Sequence, residues 1–229
     1  MCSVAKNAEF VPPHGLGASM YVRPLLLGSG PELGLTPPKE FTFVVYVTPG
    51  MTLVVCALSY SLVGNYYTGG IKPVDALILA DFDRGDFILI SSLIIAAPLG
   101  TGSAKLGGNY APVFKPSADA KHAGYPITLH LDSKSRTYID EFSTSNFVAL
   151  LEEPSKKTTT FVVPESPSIL KSVTTKSLVE LSKSFGWSVE MRPVPWDEVA
   201  SFSEVAACGT AAVITVTPIK FEGADCIAY

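Results

Sequence analysis

Lys105 is the residue of this chain whose neighbours best allow covalent chemistry. It stands in the run Ala104-Lys105-Leu106-Gly107-Gly108-Asn109-Tyr110-Ala111-Pro112, among small and apolar residues. Partial desolvation there disfavours the charged ammonium and leaves the amine free to form a Schiff base with an aldehyde. The same residue also reads as an ordinary solvated surface charge. Gly107 and Gly108 give the backbone conformations closed to other residues and let a ligand approach closely. The other polar candidates say less by type alone. Glu141 beside Asp140 reads as a surface acid, Tyr110 as an aromatic capping a helix, Thr144 as a turn hydroxyl and Arg23 as half of a surface salt bridge.

Around Lys105 the sequence predicts a helix, with Asn109 as N-cap, Pro112 in the first turn and residues 118–122 continuing it. Pro116 should shift the start of that helix or kink it. The β-branched and aromatic run at 41–47 is the strongest strand signal, and Thr48-Pro49 should end it. Residues 21–27 are strand-like and 28–38 read as turns. Further strands are predicted at 74–80, 127–131, 188–194 and 211–217, with polar turns at 81–84 and 132–136. Residues 147–151 and 161–163 should form a hairpin around 152–157. Ser172 should cap a helix reaching about Phe185, with Val173, Leu178, Leu181 and Phe185 as its apolar face and Gly186 as its stop. Residues 196–199 start a short helix. Strands and helices mixed without a regular βαβ rhythm indicate an α+β fold.

With 229 residues, 47% hydrophobic and 17% charged, the chain can bury one large core or two small ones. A net charge of −4 and a pI near 5.4 argue against a nucleic-acid partner. Cys2, Cys56, Cys208 and Cys226 show neither CxxC nor His-paired spacing, which argues against a metal site or a disulfide framework and for a reducing compartment. The N-terminus has neither a signal-peptide core nor an Arg-rich presequence, so a cytoplasmic location is expected, with a mitochondrial one as the alternative. Two apolar runs, 50–62 and 85–95, contribute to the mean hydropathy of +0.32. Each falls short of the roughly 20 residues that cross a bilayer, so no membrane partner is expected. They read as buried strands or helices, or as stretches translated from retained introns, since each opens on a glycine codon able to hold a GT donor.

The stretch from Lys105 to Pro112 resembles the cofactor-lysine motif of the branched-chain amino-acid aminotransferases, fold-type IV enzymes that use pyridoxal 5′-phosphate. Tyr21-Val22-Arg23-Pro24, Gly28-Ser29-Gly30-Pro31-Glu32-Leu33-Gly34, Val63-Gly64-Asn65-Tyr66-Tyr67, Glu141-Phe142-Ser143-Thr144-Ser145-Asn146 and Cys208-Gly209-Thr210-Ala211-Ala212 resemble the family's other blocks, in the family's order. The wording is closest to fungal and plant members. D-amino-acid transaminases and aminodeoxychorismate lyases resemble the lysine region too, but Lys-Leu-Gly-Gly-Asn-Tyr together with Tyr-Val-Arg-Pro points to the branched-chain group. The resemblance implies a C-terminal cofactor domain over 81–229, carrying the run 85–95. Before it stands 1–80, the end of the N-terminal α/β domain and the interdomain link, carrying the run 50–62.

The activity so implied is transamination of leucine, isoleucine and valine with 2-oxoglutarate, part of branched-chain amino-acid biosynthesis, in a homodimer. Lys105 would hold the cofactor as a Schiff base and, once displaced, move the proton at the substrate Cα. Tyr110 would hydrogen-bond the cofactor's phenolic oxygen, and Glu141 would keep its pyridine nitrogen protonated. The amides of Val173 and Thr174 would take the phosphate at a helix start. The turn of Gly209, Thr210 and Ala211 would donate to phosphate and substrate carboxylate together. Thr144 would lie near that carboxylate, with Tyr21, Arg23 and Tyr66 forming the side pocket. Two departures stand out: Lys171-Ser172 replaces the usual Pro-Gly, and Thr175 replaces an arginine common in the family. Family members also carry a further N-terminal segment with an arginine on the phosphate. Two other readings follow. One is a truncated, non-catalytic remnant that binds the cofactor weakly or only pairs with an intact subunit. The other is an exported or membrane-associated protein built around the apolar runs, which their length opposes.

Overall fold

A computed structural model of the chain describes residues 6, 18–31, 36–51, 73–79, 101–210, 213–217 and 219–221. The chain divides into two compact units, Met1–Gly70 and Ile71–Tyr229. Most of both apolar runs, Tyr66 and Ala211 lie outside the described residues.

In the first unit, β-branched and aromatic residues build two long strands, β1 (Ala18–Ser29) and β2 (Glu40–Met51). They pair antiparallel along their whole length, with Tyr21 opposite Thr48 and Arg23 opposite Tyr46. Thr48-Pro49 therefore does not end the second strand, as the sequence suggested. Each strand of a two-stranded ribbon has an edge with no ladder partner among the described residues, where proline's missing N–H costs no bond.

The second unit is a mixed sheet of β3 (Ala76–Leu79), β4 (Ile127–Leu131), β5 (Ile139–Phe142), β6 (Asn146–Glu153), β7 (Thr158–Pro164), β8 (Ser188–Arg192), β9 (Glu204–Gly209), β10 (Val213–Val216) and β11 (Ile219–Phe221). The pairs β11–β3, β3–β4 and β7–β8 are parallel and the others antiparallel. Parallel neighbours need a crossover, and helices supply it. Between β3 and β4 the chain makes α1 (Gly107–Tyr110), a 3-10 turn at Ala111–Val113 and α2 (Phe114–His122). Between β7 and β8 it makes α3 (Val173–Ser184). The expected α+β class is thus observed.

Period-two alternation splits the apolar side chains between the two faces of the sheet. Phe147, Ala149, Val205 and Ala207 join Phe142, Val162 and Phe202 in the larger core, closed by a 3-10 turn at Trp196–Ser201. Val148, Phe161, Val163, Ala206 and Cys208 form a second cluster under α3. The helix meets that cluster through Thr175, Val179 and Ser182, with Leu178 of the expected face packed against it as well; the rest of that face lies outside. Val173 is 79% exposed, and Leu181 and Phe185 are also exposed. The larger Leu181 and Phe185 fall on the flank. There Leu178, Leu181 and Phe185 border an apolar hollow of about 210 Å³ with Trp187.

The helix ends are as local chemistry requires. Ser172 Oγ accepts the Thr175 amide at 3.2 Å, the N-cap bond expected of it. Gly186 takes φ +76°, with its amide on the Lys183 carbonyl and the Trp187 amide on the Ser182 carbonyl. The break between α1 and α2 follows from proline. Pro116 has no N–H for the carbonyl of Pro112, so the ladder tightens to 3-10 at Ala111–Val113 and resumes at Phe114.

Candidate active site

Lys105 lies on the crossover from β3 to β4, just before α1. Its Nζ donates to Tyr110 Oη at 3.1 Å and lies 5.3 Å from the centre of that ring. The pair spans the start of α1: Lys105 lies outside the helix, before the extended Leu106 at its N-cap, and Tyr110 is the last residue of the helix. The expected packing of Lys105 is not observed: its side chain is exposed. Nor do Gly107 and Gly108 need special backbone freedom. Both are helical, and a Cβ on either would meet nothing within 4 Å. The space above them is open.

Asn109 is not the N-cap. That position is Leu106, which makes no side-chain capping bond. Asn109 instead sits buried inside α1, with Nδ2 donating to the carbonyls of Thr101 at 2.7 Å and Ala104 at 2.9 Å. Its Oδ1 accepts from Thr101 Oγ1 at 3.0 Å.

Glu141 is 3% exposed, which excludes its reading as a surface acid. A bulge in β5 aims it. Leu129 faces Phe142 and Leu131 faces Ile139, so two residues of β5 oppose one of β4. Ile139 and Phe142 can then both enter the larger core while Glu141 turns elsewhere. Its Oε2 accepts from Asn146 Nδ2 at 3.0 Å and its Oε1 from the Leu170 amide at 3.4 Å. Asn146 Nδ2 also donates to the Leu170 carbonyl at 2.9 Å. Asn146, opposite Glu141 across the hairpin, had no role assigned from the sequence. Its signal was the spacing: a tight turn at 143–145 must set 141 beside 146.

The phosphate-binding candidates gather around the same hairpin. Asn146 faces Cys208 on β9, and Cys208 Sγ lies 3.3 Å from Thr175 Oγ1 in the first turn of α3. Burial pushes the Cys208 thiol up; the Thr175 contact opposes this and the charge of Glu141 adds to it. The buried sulfur therefore stays a neutral thiol. Gly209 ends β9 beside the 143–145 turn, where a Cβ would stand 3.6 Å from Ser145 Cβ and 4.0 Å from the Thr144 carbonyl. Thr144 and Thr210 are exposed there. Val173 and Thr174 occupy the first two positions of α3, whose amides have no carbonyl one turn back.

The Lys105 segment reaches this cluster through one tight contact. A Cβ on Gly102 would lie 3.1 Å from the Ser168 carbonyl, so the two backbones touch. Leu170, whose main chain holds Glu141 and Asn146, follows shortly. A hollow of about 810 Å³ opens alongside, bordered by Ser103, Asp140, Asn146, Ser172 and Thr175. Neither Lys105 nor Glu141 lines it. Tyr21 and Arg23 belong to the first unit. They share one face of β1, where Arg23 Nη2 donates to Tyr21 Oη and the guanidinium lies 5.1 Å from the ring centre.

Known proteins similar to this chain bear on its family and fold. Residues 88–220 match the family described as amino-transferase class IV. Aminotransferase poxL of Penicillium oxalicum is 49% identical over 212 residues, covering 93% of this chain and 50% of that protein. Branched-chain amino acid aminotransferase gloG of Glarea lozoyensis is 43% identical over 212 residues, covering 93% of this chain and 52% of that protein. The chain spans about half the length of the curated relatives it matches. The branched-chain amino acid aminotransferase of Thermobaculum terrenum, solved in its PLP form, has a TM-score of 0.64 at 20% identity, over 87% of this chain and 56% of that one. That likeness is one of fold, the fold-type IV architecture. By its family match, its relatives and its fold, the chain belongs to the class IV aminotransferases.

Proposed function

We propose that this chain carries the cofactor domain of an aminotransferase that uses pyridoxal 5′-phosphate to move amino groups between leucine, isoleucine or valine and 2-oxoglutarate. The observation that carries the reading is the Lys105–Tyr110 pair at the head of α1, in the same unit as the buried, doubly bonded carboxylate of Glu141. The branched-chain name of the gloG relative supports the substrate class.

The residues present suit that cofactor. Glu141 is a carboxylate whose two oxygens are already oriented, fit to hold a proton on a ring nitrogen. The Ser172 hydroxyl takes the Thr175 amide, which leaves the amides of Val173 and Thr174 for a phosphate at the positive end of α3. Gly209 and Thr210 add a turn with no bulky side chain on its first residue. When bound, pyridoxal phosphate supplies an aldehyde and an electron-withdrawing ring. Lys105 Nζ is the covalent anchor and, once released, the base that moves the proton at the substrate Cα. Tyr110 Oη orients that amine and holds a hydrogen bond to the ring oxygen. The family resemblance assigns Thr144, Thr210 and Ala211 to the substrate carboxylate and Tyr21, Arg23 and Tyr66 to the substrate side chain. The working assembly is a homodimer in the cytoplasm, which light scattering and localisation of a tagged chain would test.

The experiment is direct. The chain is incubated with pyridoxal phosphate, reduced with borohydride and digested, and the labelled peptide is identified by mass spectrometry. Label is expected on Lys105 and lost in Lys105→Ala, with glutamate formed from leucine and 2-oxoglutarate. Label on another lysine, undisturbed by Lys105→Ala, overturns the reading. Label on Lys105 without amino transfer favours the non-catalytic alternative.

A further inference from the structure

Lys105 sits on a segment that the core hardly touches. Residues 103–108 are all exposed, and α1 lacks a side-chain N-cap bond. Something else must keep the lysine next to Tyr110. Asn109 is the buried exception, 5% exposed, and its bonds fall on both sides of Lys105. Its Nδ2 holds the carbonyl of Ala104, the residue before the lysine, and that of Thr101. Its main-chain amide holds the carbonyl of Leu106, the residue after the lysine, at 3.1 Å. Its Oδ1 accepts the Thr101 hydroxyl. The Ala104 carbonyl also accepts the Leu106 amide at 2.9 Å, and the Ala104 amide bonds the Thr101 carbonyl at 2.9 Å. The Asn109 side chain thus ties α1 back to Thr101 and Ala104, closing the loop that carries the amine, while its main-chain amide holds Leu106.

We propose that Asn109 is a positioning residue, a staple that holds the backbone on either side of Lys105 and so presents its amine beside Tyr110. The chemistry demands this side chain. Two N–H donors must converge on two carbonyls while an oxygen accepts a hydroxyl. Aspartate offers no donors, leucine offers neither, and glutamine is a methylene too long. The part of the claim that concerns cofactor attachment rests on the function proposed above, whereas the stapling itself does not.

Two variants of similar size, Asn109→Asp and Asn109→Leu, test it, with Thr101→Val as a milder change that removes only the hydroxyl bond. The first readout is hydrogen exchange of the cofactor-free chain by mass spectrometry. Exchange in peptides covering 101–110 should rise about tenfold or more in both Asn109 variants and less in Thr101→Val, while peptides from α3 and β6 keep the wild-type rate. The second readout is the rate of borohydride trapping of pyridoxal phosphate on Lys105, expected to fall about tenfold or more in the Asn109 variants. Thr101→Ser should behave as wild type in both. Unchanged exchange over 101–110 in Asn109→Asp overturns the staple, and so does unchanged trapping when exchange has risen. If the wild-type chain takes no label at Lys105, the aminotransferase reading fails, and the exchange measurement still decides whether Asn109 holds the segment.

Discussion

Glu141 owes its burial to a bulge and its orientation to Asn146, and both can be tested at single residues. Glu141→Gln keeps the shape but offers one acceptor where two are used, by Asn146 Nδ2 and the Leu170 amide. We expect a stability loss of about 1–2 kcal/mol in chemical denaturation. Amino transfer should fall about 10²-fold or more, roughly 3 kcal/mol of lost transition-state stabilisation. Asn146→Ala should cost about 2–3 kcal/mol, because a buried carboxylate and the Leu170 carbonyl lose their donor together. Asn146→Asp should be worse, since it sets a second carboxylate against the first. A melting curve of Asn146→Ala matching wild type would mean water replaces the amide. Asp132 gives a prediction in pH. Burial pushes its carboxyl up, but the amides of Tyr138, Ser135 and Thr137 and the Ser135 hydroxyl outweigh this and hold it below the usual value of 3.8. A carboxyl depressed in the folded state contributes stability above its unfolded value of about 3.9, and loses it as pH falls through the folded one. Asp132→Asn should therefore flatten the acid limb of the stability curve, and parallel limbs in the two proteins would count against that turn.

At the scale of the element, α3 separates capping from packing. Ser172→Ala removes the bond to the Thr175 amide and should cost about 1 kcal/mol. Gly186→Ala puts a Cβ at φ +76° and should cost about 1 kcal/mol. The buried face makes a sharper claim. Val179 is buried and Val173 is not. Val179→Ala should therefore lose about 2 kcal/mol, while Val173→Thr should stay within about 0.5 kcal/mol of wild type. Thermal melts of the pair decide between this face and the one drawn from apolar spacing; equal losses would restore the latter.

For the whole molecule the open matter is how the chain supports its own fold. Among the described residues the buried core lies in the second unit, whereas the β1–β2 ribbon exposes Leu26, Phe41 and Phe43 among others. No helix among the described residues is long and apolar enough to cross a membrane. The apolar runs at 50–62 and 85–95 contribute to the mean hydropathy of +0.32. We read them as translated from retained introns. On that reading, deleting both raises solubility and strengthens pyridoxal phosphate binding, because residues never selected to pack would each forgo about 1.5–3 kcal/mol of burial unless they associate. Sequenced transcripts across 48–66 and 84–98 should then lack them. Lower stability after deletion would make them integral structure.

Much of this molecule was legible from local chemistry. The strand at 127–131, the hairpin around 152–157, the Ser172 cap and the Gly186 stop all rest on rules that act within one turn or one strand pair. Lys105 and Tyr110 are near in sequence, but their bond joins the loop before α1 to the last residue of the helix and depends on how that loop curls. What the tertiary structure decided are the properties set by neighbours distant in sequence. Asn109 left its expected cap because Thr101 and Ala104 curl back to meet its amide. Pro49 stayed in its strand because a ribbon edge tolerates it. α3 turned Thr175, Val179 and Ser182 inward because its rotation is set by the strands it packs on. Glu141 became buried because a bulge against β4 turns it toward Asn146 and Leu170, a partner 29 positions away. Sequence by itself determined which chemistry the chain carries, since residue type and short spacing are local. Burial and orientation depend on which segments pack together, and only the folded sheet specifies that.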